Sequence, residues 1–263
     1  MATLLELIDS GEKEFKDALG AKRDFRSWFA VTRDYVRTTG EAGTVKYQLV
    51  KGRQILNAFL TAAKLGLMVD GKESMVMVRG QKDPQIRCEI GFAGVIRLAG
   101  QAGALINART IHAGDKIEID EGAGTVHHTP AWILGREEGD VLGYYAAARY
   151  KSGLGIVRAI SLQQVREKHS TNTSVWKNHP NAMGEKTAIL HLGKVLYYGD
   201  EIEAILSGSA AAVEDHVHYE DAEDTPQHPP KTVSDKVAAA AARAEQDANA
   251  ESDAYDLGEG DVL

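Results

Sequence analysis

The stretch "CEIGFAGVIRLAGQAG", residues 88 to 103, holds the first side chains whose types and spacing could do chemistry. Gly91 and Gly94 form a Gly-x-x-Gly turn after an apolar run, and an apolar helical pattern carrying Arg97 follows. The free N–H groups that open a helix favour an anion, and glycines let backbone approach closely. A Gly-x-x-Gly loop also clamps nucleic-acid backbone in the KH fold. The same glycines would serve close helix–strand packing equally well. Phe92 and Arg97 tip the reading towards DNA.

Other constellations exclude more than they include. "GLMVDGKE", residues 66 to 73, nearly fits a phosphate loop, but Glu73 stands where the magnesium-binding hydroxyl belongs. The segment also follows a helical pattern, whereas that loop needs a preceding strand. A C-cap glycine at Gly66 and a turn at Asp70-Gly71 fit it better. His127 and His128 are adjacent in a strand pattern, so they point to opposite faces, and neither has a partner at zinc spacing. The single cysteine, Cys88, lies in a strand that reads as core, and no nucleophile constellation is present.

Cations and aromatics are more informative. In "NAMGEKTAILHLGKVLYY", Ala188, Ile189, Leu192, Val195 and Leu196 fall on one helical arc. Lys186, Thr187, His191 and Lys194 fall on the other, where they could track a phosphate backbone or form an ordinary solvated face. In "YYAAARYK", Tyr145, Arg149 and Lys151 share one strand face. Trp176 and Lys177 follow a Ser/Thr/Asn run, a setting that suits stacking on a base or a Trp closing the core edge.

The elements that must position these residues change period along the chain. Residues 4–19, 25–39 and 53–67 space apolar residues three and four apart, so helices are predicted there. A hairpin is predicted over 75–90, with Ile86, Cys88 and Ile90 on one face. After a helix over 94–102, short strands separated by Gly, Asp and Pro suggest an antiparallel meander, and two more helices close the body. Helices, hairpin, helix, meander, helices is an α+β order, not an alternating βαβ one.

Charge divides the chain into two expected parts. Residues 1–208 carry 27 Lys+Arg against 24 Asp+Glu, whereas 209–263 carry 3 against 14. Such asymmetry suggests a nucleic-acid partner or an interaction tail. The tail is polar, acidic and proline-bearing, and is expected to be largely disordered apart from a short helix after Ser234. No apolar run approaches the roughly 20 residues of a membrane span, and a reducing cytoplasm is the expected compartment.

Five segments, in order from about Phe25 to Tyr198, resemble the RecT family of phage single-strand DNA annealing proteins. "ILNAFLTAAKLGL" is similar to the family's helix ending in Leu-Gly-Leu. "EIGFAGVIRLAGQAG" is similar to its Ile-Gly-Tyr-Lys-Gly segment, with Phe92 for the tyrosine. "VHHTPAW" and "GYYAAARYKSG" resemble its strand pair, and "VWKNHPNAMGEKTAILHLGKVL" its Trp, Met-x-x-Lys-Thr and basic helix. Ala93 replaces a family lysine, and Leu190-His191 a pair of arginines.

The resemblance implies single-stranded DNA binding and annealing in homologous recombination or DNA repair. The protein would act without nucleotide hydrolysis or any cofactor, with magnesium at most a modulator. It implies a homo-oligomer, ring or helical filament, holding strands in a basic groove through an annealed duplex intermediate. A phage exonuclease and a host single-strand binding protein are the implied partners. The candidate DNA contacts are Arg79, Phe92, Arg97, Arg109, Arg149, Lys151, Trp176, Lys177, Lys186, Thr187, His191 and Lys194. An oligomeric coating or scaffold protein that does not anneal is the alternative.

Overall fold

A computed structural model of the chain describes residues 3–48, 50–80, 83–168, 173–208 and 211–213, with the backbone alone at 39–46, 208 and 211–213. All the described residues fall within the first of two units, 1–219. The expected tail helix therefore lies outside the described residues.

The first unit begins with helices. Thr3 and Glu6 form a reciprocal cap on α1 (Leu4–Ser10). α2 (Glu12–Leu19) restarts after Gly11, where a Cβ would lie 2.8 Å from the Phe15 ring. α3 (Phe25–Tyr47) and α4 (Gly52–Leu65) complete the group. Their apolar stripes meet in a core of Ile8, Phe15, Leu19, Trp28 and Phe59, each fully buried. The buried Trp28 indole satisfies its N–H on the Leu67 carbonyl at 2.7 Å. Gly66 ends α4 in the left-handed region at φ 69°, which glycine adopts without a Cβ penalty.

β1 (Ser74–Arg79) and β2 (Gln85–Ile90) form the expected hairpin, paired from Ser74↔Ile90 to Arg79↔Gln85. β2 also pairs in parallel with a late strand, Ala211–Val213. Burial on every side pushes the Cys88 thiol up to about 12, so it is an inert core residue.

The second layer holds most of the sequence-picked residues. α5 (Phe92–Gln101) leads into β3 (Ala104–His112). A hairpin follows, β4 (Lys116–Asp120) with β5 (Thr125–Thr129), then a 3₁₀ turn at Ala131–Leu134. β6 (Val141–Tyr150) and β7 (Gly155–Ser161) complete a sheet ordered β3-β6-β7. The strands are antiparallel as expected, but they are not consecutive neighbours. β3 pairs with β6, and the β4–β5 hairpin is an insertion between them.

The closing helices are α6 (Leu162–Lys168), α7 (Ser174–Asn178), α8 (Pro180–Gly193) and α9 (Asp200–Gly208). The Ser161 hydroxyl accepts from Gln164 N at 3.1 Å and caps α6. α8 lies on the inner face of the sheet so closely that a Cβ at Gly184 would sit 2.1 Å from the Tyr144 ring. Val95 of α5 packs on its other side at Gly193. The second core contains Leu98, Tyr144, Ala146, Trp176, Ala188 and Leu192. The fold is α+β, as the order of periods predicts.

Candidate nucleic-acid interface

The opening turn is built for packing. A Cβ at Gly91 would lie 2.2 Å from the Lys72 carbonyl oxygen, and one at Gly94 would lie 2.1 Å from that of Glu73. Gly91 N also donates to Glu73 O at 3.0 Å. Carbonyl oxygens fill the space an anion would need, so these glycines bring α5 against the chain entering β1. Arg97 has a matching role. Its Nε donates to the Gly66 carbonyl at 3.2 Å, beside Arg23, which reaches the same oxygen at 2.8 Å. Two guanidiniums thus cap the C-terminus of α4, where the helix dipole favours positive charge.

Three more candidates are held by internal partners. Arg79 makes a bidentate pair with the largely buried Glu89 carboxylate at 2.7 Å and 2.7 Å. Trp176 is 8% exposed and belongs to the second core. Thr187 is buried, its hydroxyl donating to the Met183 carbonyl at 2.9 Å. Leu190, inside the expected polar arc, is also buried. α8 is covered by the sheet on one side and by α5 on the other, which narrows its solvated edge.

The remaining candidates sort into two groups. In the first, Lys186 places its ammonium 5.8 Å from the centre of the half-buried Phe92 ring, a cation–π contact joining α8 to α5. Lys177 and Lys194 are exposed near opposite ends of α8. His191 is half-buried, and its Nδ1 has no hydrogen-bond partner among the described residues. Burial holds its pKa below the ordinary value, with Lys168, Lys194 and Arg158 acting in the same direction and Glu121 opposing. Sequence reading missed Arg158 and Lys168 because they converge only when β7 and α6 pack beside α8. Arg158 is paired with Glu121 at 2.9 Å.

The second group lies on the open face of the sheet. Leu105, Asn107 and Arg109 of β3 point outward there, with Arg149 of β6 opposite Leu105 and Lys151 just beyond. None of Arg109, Arg149 and Lys151 makes an ion pair among the described residues. Arg109 adjoins Thr110, whose N–H and hydroxyl each donate to Glu185 at 3.1 Å. Thr110, on the opposite face of β3 from Arg109, thus fastens the edge strand to α8 through Glu185.

The inserted hairpin is fastened to this face by a polar chain that the sequence did not reveal. His128 lies 3.0 Å from Asp115 Oδ2 and 3.2 Å from the Tyr145 hydroxyl. Burial pushes the Asp115 carboxyl up, but hydrogen bonds from His112 N, His128 and Ala131 N outweigh it and hold the group low. No cluster among the described residues could hold a metal ion.

The RecT family model matches residues 33–230, from within α3 through every element of the sheet and α8. The chain belongs to the RecT family. It is 31% identical over 135 residues to Protein RecT of Escherichia coli (strain K12), covering 49% of this chain and 48% of that protein. The match thus spans about half of that relative's length. Within this RecT family chain, the resembling segments at α5 and α8 meet in space through Phe92 and Lys186.

Proposed function

We propose that this RecT family protein binds single-stranded DNA and anneals complementary strands in homologous recombination, without nucleotide hydrolysis. The Phe92–Lys186 contact carries this reading, because it brings a ring and a cation from two resembling segments to one partly solvated edge. An aromatic face beside an ammonium suits a base and its phosphate. Backbone contacts run along α7 and α8 through Lys177, Lys186 and Lys194, with Arg158, Lys168 and His191 at the far end and Arg109 beyond them on the open face of β3. Arg149 and Lys151 stand apart from this track, among exposed apolar side chains.

Annealing is downhill, since pairing and stacking supply the free energy. The protein has only to screen phosphates and display bases. The failed phosphate loop agrees with this: Asp70 accepts from Lys72 N and Glu73 N at 2.8 Å in a simple turn, and Glu73 pairs with Arg23 at 2.6 Å. Magnesium acts at most as a modulator. The working form is an oligomer, ring or filament, that carries the annealed duplex intermediate. A phage exonuclease and a host single-strand binding protein are its proposed partners, and the bacterial cytoplasm its compartment. No helix among the described residues is long and apolar enough to cross a membrane.

The test is annealing of two complementary, fluorescently labelled oligonucleotides without ATP across a salt series. Acceleration that fades with rising salt is expected, and Lys186→Ala should weaken binding and flatten the salt slope by about one unit. No acceleration with binding intact would leave the coating or scaffold alternative. Unchanged binding by Lys186→Ala would overturn the α8 track.

A further inference from the structure

β3 stands at one edge of the β3-β6-β7 sheet. An edge strand offers a row of unpaired N–H and C=O groups, and native folds cover or block such rows. Which groups β3 offers follows from its register. Lys151 N donates to Gly103 O at 3.1 Å, one step before the Ala104↔Tyr150 pair. In an antiparallel ladder bonded and unbonded pairs alternate, so 105, 107 and 109 exchange bonds with β6. Ile106, Ala108 and Thr110 turn their N–H and C=O groups to the free edge.

Two other edges are guarded. On β1, Val76 O accepts from the Tyr47 hydroxyl at 2.6 Å and from the Tyr35 hydroxyl at 3.4 Å. On β7, Ala159 N donates to Glu121 at 2.8 Å. The turn at Gly124 sits so close to that strand that a Cβ on it would lie 1.9 Å from the Gly155 carbonyl oxygen. On β3 the guard covers one end only. Glu185 takes Thr110 N and the Thr110 hydroxyl at 3.1 Å, just before the bulge at Ile111–His112. Ile106 and Ala108 are half-buried, and among the described residues their outward N–H groups have no partner. Arg109 Nη1 reaches the Ala108 carbonyl at a long 3.4 Å.

The side chains beside this gap say what fills it. Leu105, 81% exposed, lines it on the open face with Asn107 and Arg109, and Arg149 lies opposite Leu105. From Leu105 to Arg109 the strand rises roughly 13 Å, the span of about five residues of an added strand. The neighbouring acids are engaged elsewhere: Glu185 at Thr110, Asp200 with the Tyr197 hydroxyl, and Glu203 with Tyr198 N at 3.0 Å. A carboxylate on an added strand therefore finds Arg109 and Arg149 open. A second copy fits poorly. Its β1 and β7 edges are guarded in the same way. Its β3 would set Arg109 against Arg109 in an in-register parallel pair, or against the Arg149 end in an antiparallel one.

We propose that the free edge of β3 docks an extended, acidic segment of a partner protein, which joins the sheet as a fourth strand beside Ile106 and Ala108. Main-chain hydrogen bonds supply the affinity of such strand addition, and alternate side chains supply its selectivity. Apolar side chains follow Ile106 and Ala108 on one face, and carboxylates meet Arg109 and Arg149 on the other. The inference goes beyond the DNA-binding reading and stands without it, since Arg109 alone is common to both.

The test is hydrogen exchange of the full chain, resolved to residues by mass-spectrometric fragmentation, with a capped six-residue peptide of alternating valine and aspartate as the probe at millimolar concentration. Added protection of the Ile106 and Ala108 amides is expected. Successive amides of a strand face opposite edges, so N-methylating every second amide should matter in one register only. There it should weaken binding by about tenfold or more, and in the other register leave it near that of the parent peptide. Ala108→Pro removes an outward N–H and spares the β6 ladder, so it should abolish the added protection. Far-UV circular dichroism checks folding. Should that variant misfold, Arg149→Glu replaces it: this chain should lose the valine–aspartate peptide and take up a valine–lysine one. No added protection, equal effects of the two methylation registers, or unchanged peptide binding by either variant would overturn the proposal. So would Ile106 and Ala108 amides already protected in the chain alone, which would mean that a second copy fills the edge. An oligonucleotide that protects them, and loses that effect in Ala108→Pro, would give the edge to DNA and overturn it too.

Discussion

At the residue scale, burial divides the candidate contacts more sharply than charge does. Trp176 could as well stack on a base as close the core, and at 8% exposure beside Tyr144 and Leu192 it closes the core. Trp176→Ala should therefore cost about 3 kcal/mol of stability. DNA affinity per folded molecule should stay near wild type; a selective loss of binding at unchanged melting temperature would return Trp176 to the interface. His191 is biased against its proton by burial and by the neighbouring cations. Its folded pKa lies below the unfolded value of about 6.5, so the unfolded chain binds the proton first as pH falls. Its effect on stability is absent above that pH and becomes a loss below it. A phosphate arriving beside Lys168, Lys194 and Arg158 would favour the imidazolium, so DNA affinity should rise over the same interval. His191→Gln should flatten both trends, measured as denaturant midpoints and oligonucleotide affinity between pH 7.5 and 5.5. A variant that keeps the wild-type rise in affinity would remove His191 from the phosphate track.

At the element scale, glycines distinguish helices that must approach backbone from helices that face water. Gly94 and Gly100 both lie in α5, where alanine is favoured over glycine by about 1 kcal/mol on propensity alone. A Cβ at Gly94 would meet the Glu73 carbonyl oxygen at 2.1 Å, while one at Gly100 meets nothing within 4 Å. Gly94→Ala should destabilise by about 1–3 kcal/mol through overpacking, and Gly100→Ala should stabilise by up to about 1 kcal/mol. Thermal melts of the two variants check the pair, and equal shifts would refute the packing role given to the turn. Element type was largely legible in the sequence: the hairpin, α5 and the strands follow from period and turn residues. Pairing was not, because nothing local says that β3 skips the inserted hairpin to meet β6. Nor does a helical wheel reveal that α8 is covered on two sides. Thr187 and Leu190 are buried on the arc that the wheel marks as polar, and that depends on tertiary contact. α7 and α9 escaped for a related reason: each is short and is held by packing more than by its own pattern.

At the scale of the whole molecule, charge is distributed against the proposed ligand. Residues 220–263 carry 12 Asp+Glu and 3 Lys+Arg, so the chain approaches a polyanion with a net charge of −8 although its first unit is near neutral. Local cations can still bind, because phosphate contacts act within a screening length of roughly 8–10 Å at ordinary salt. The acidic segment should nevertheless slow encounter and weaken affinity, whether it reaches the α8 edge or only adds to the repelling field. A chain ending at Tyr219 should therefore bind single-stranded DNA more tightly than the full chain at low salt. The difference should shrink steadily as salt rises and vanish near 1 M, where the screening length is about 3 Å. Salt dependence decides between causes. A tail that shields the site sterically would leave an affinity gap at every salt concentration, and a tail that acts by charge would not. Equal affinities at low salt would mean that the segment neither shields nor repels, and would leave partner docking as its role.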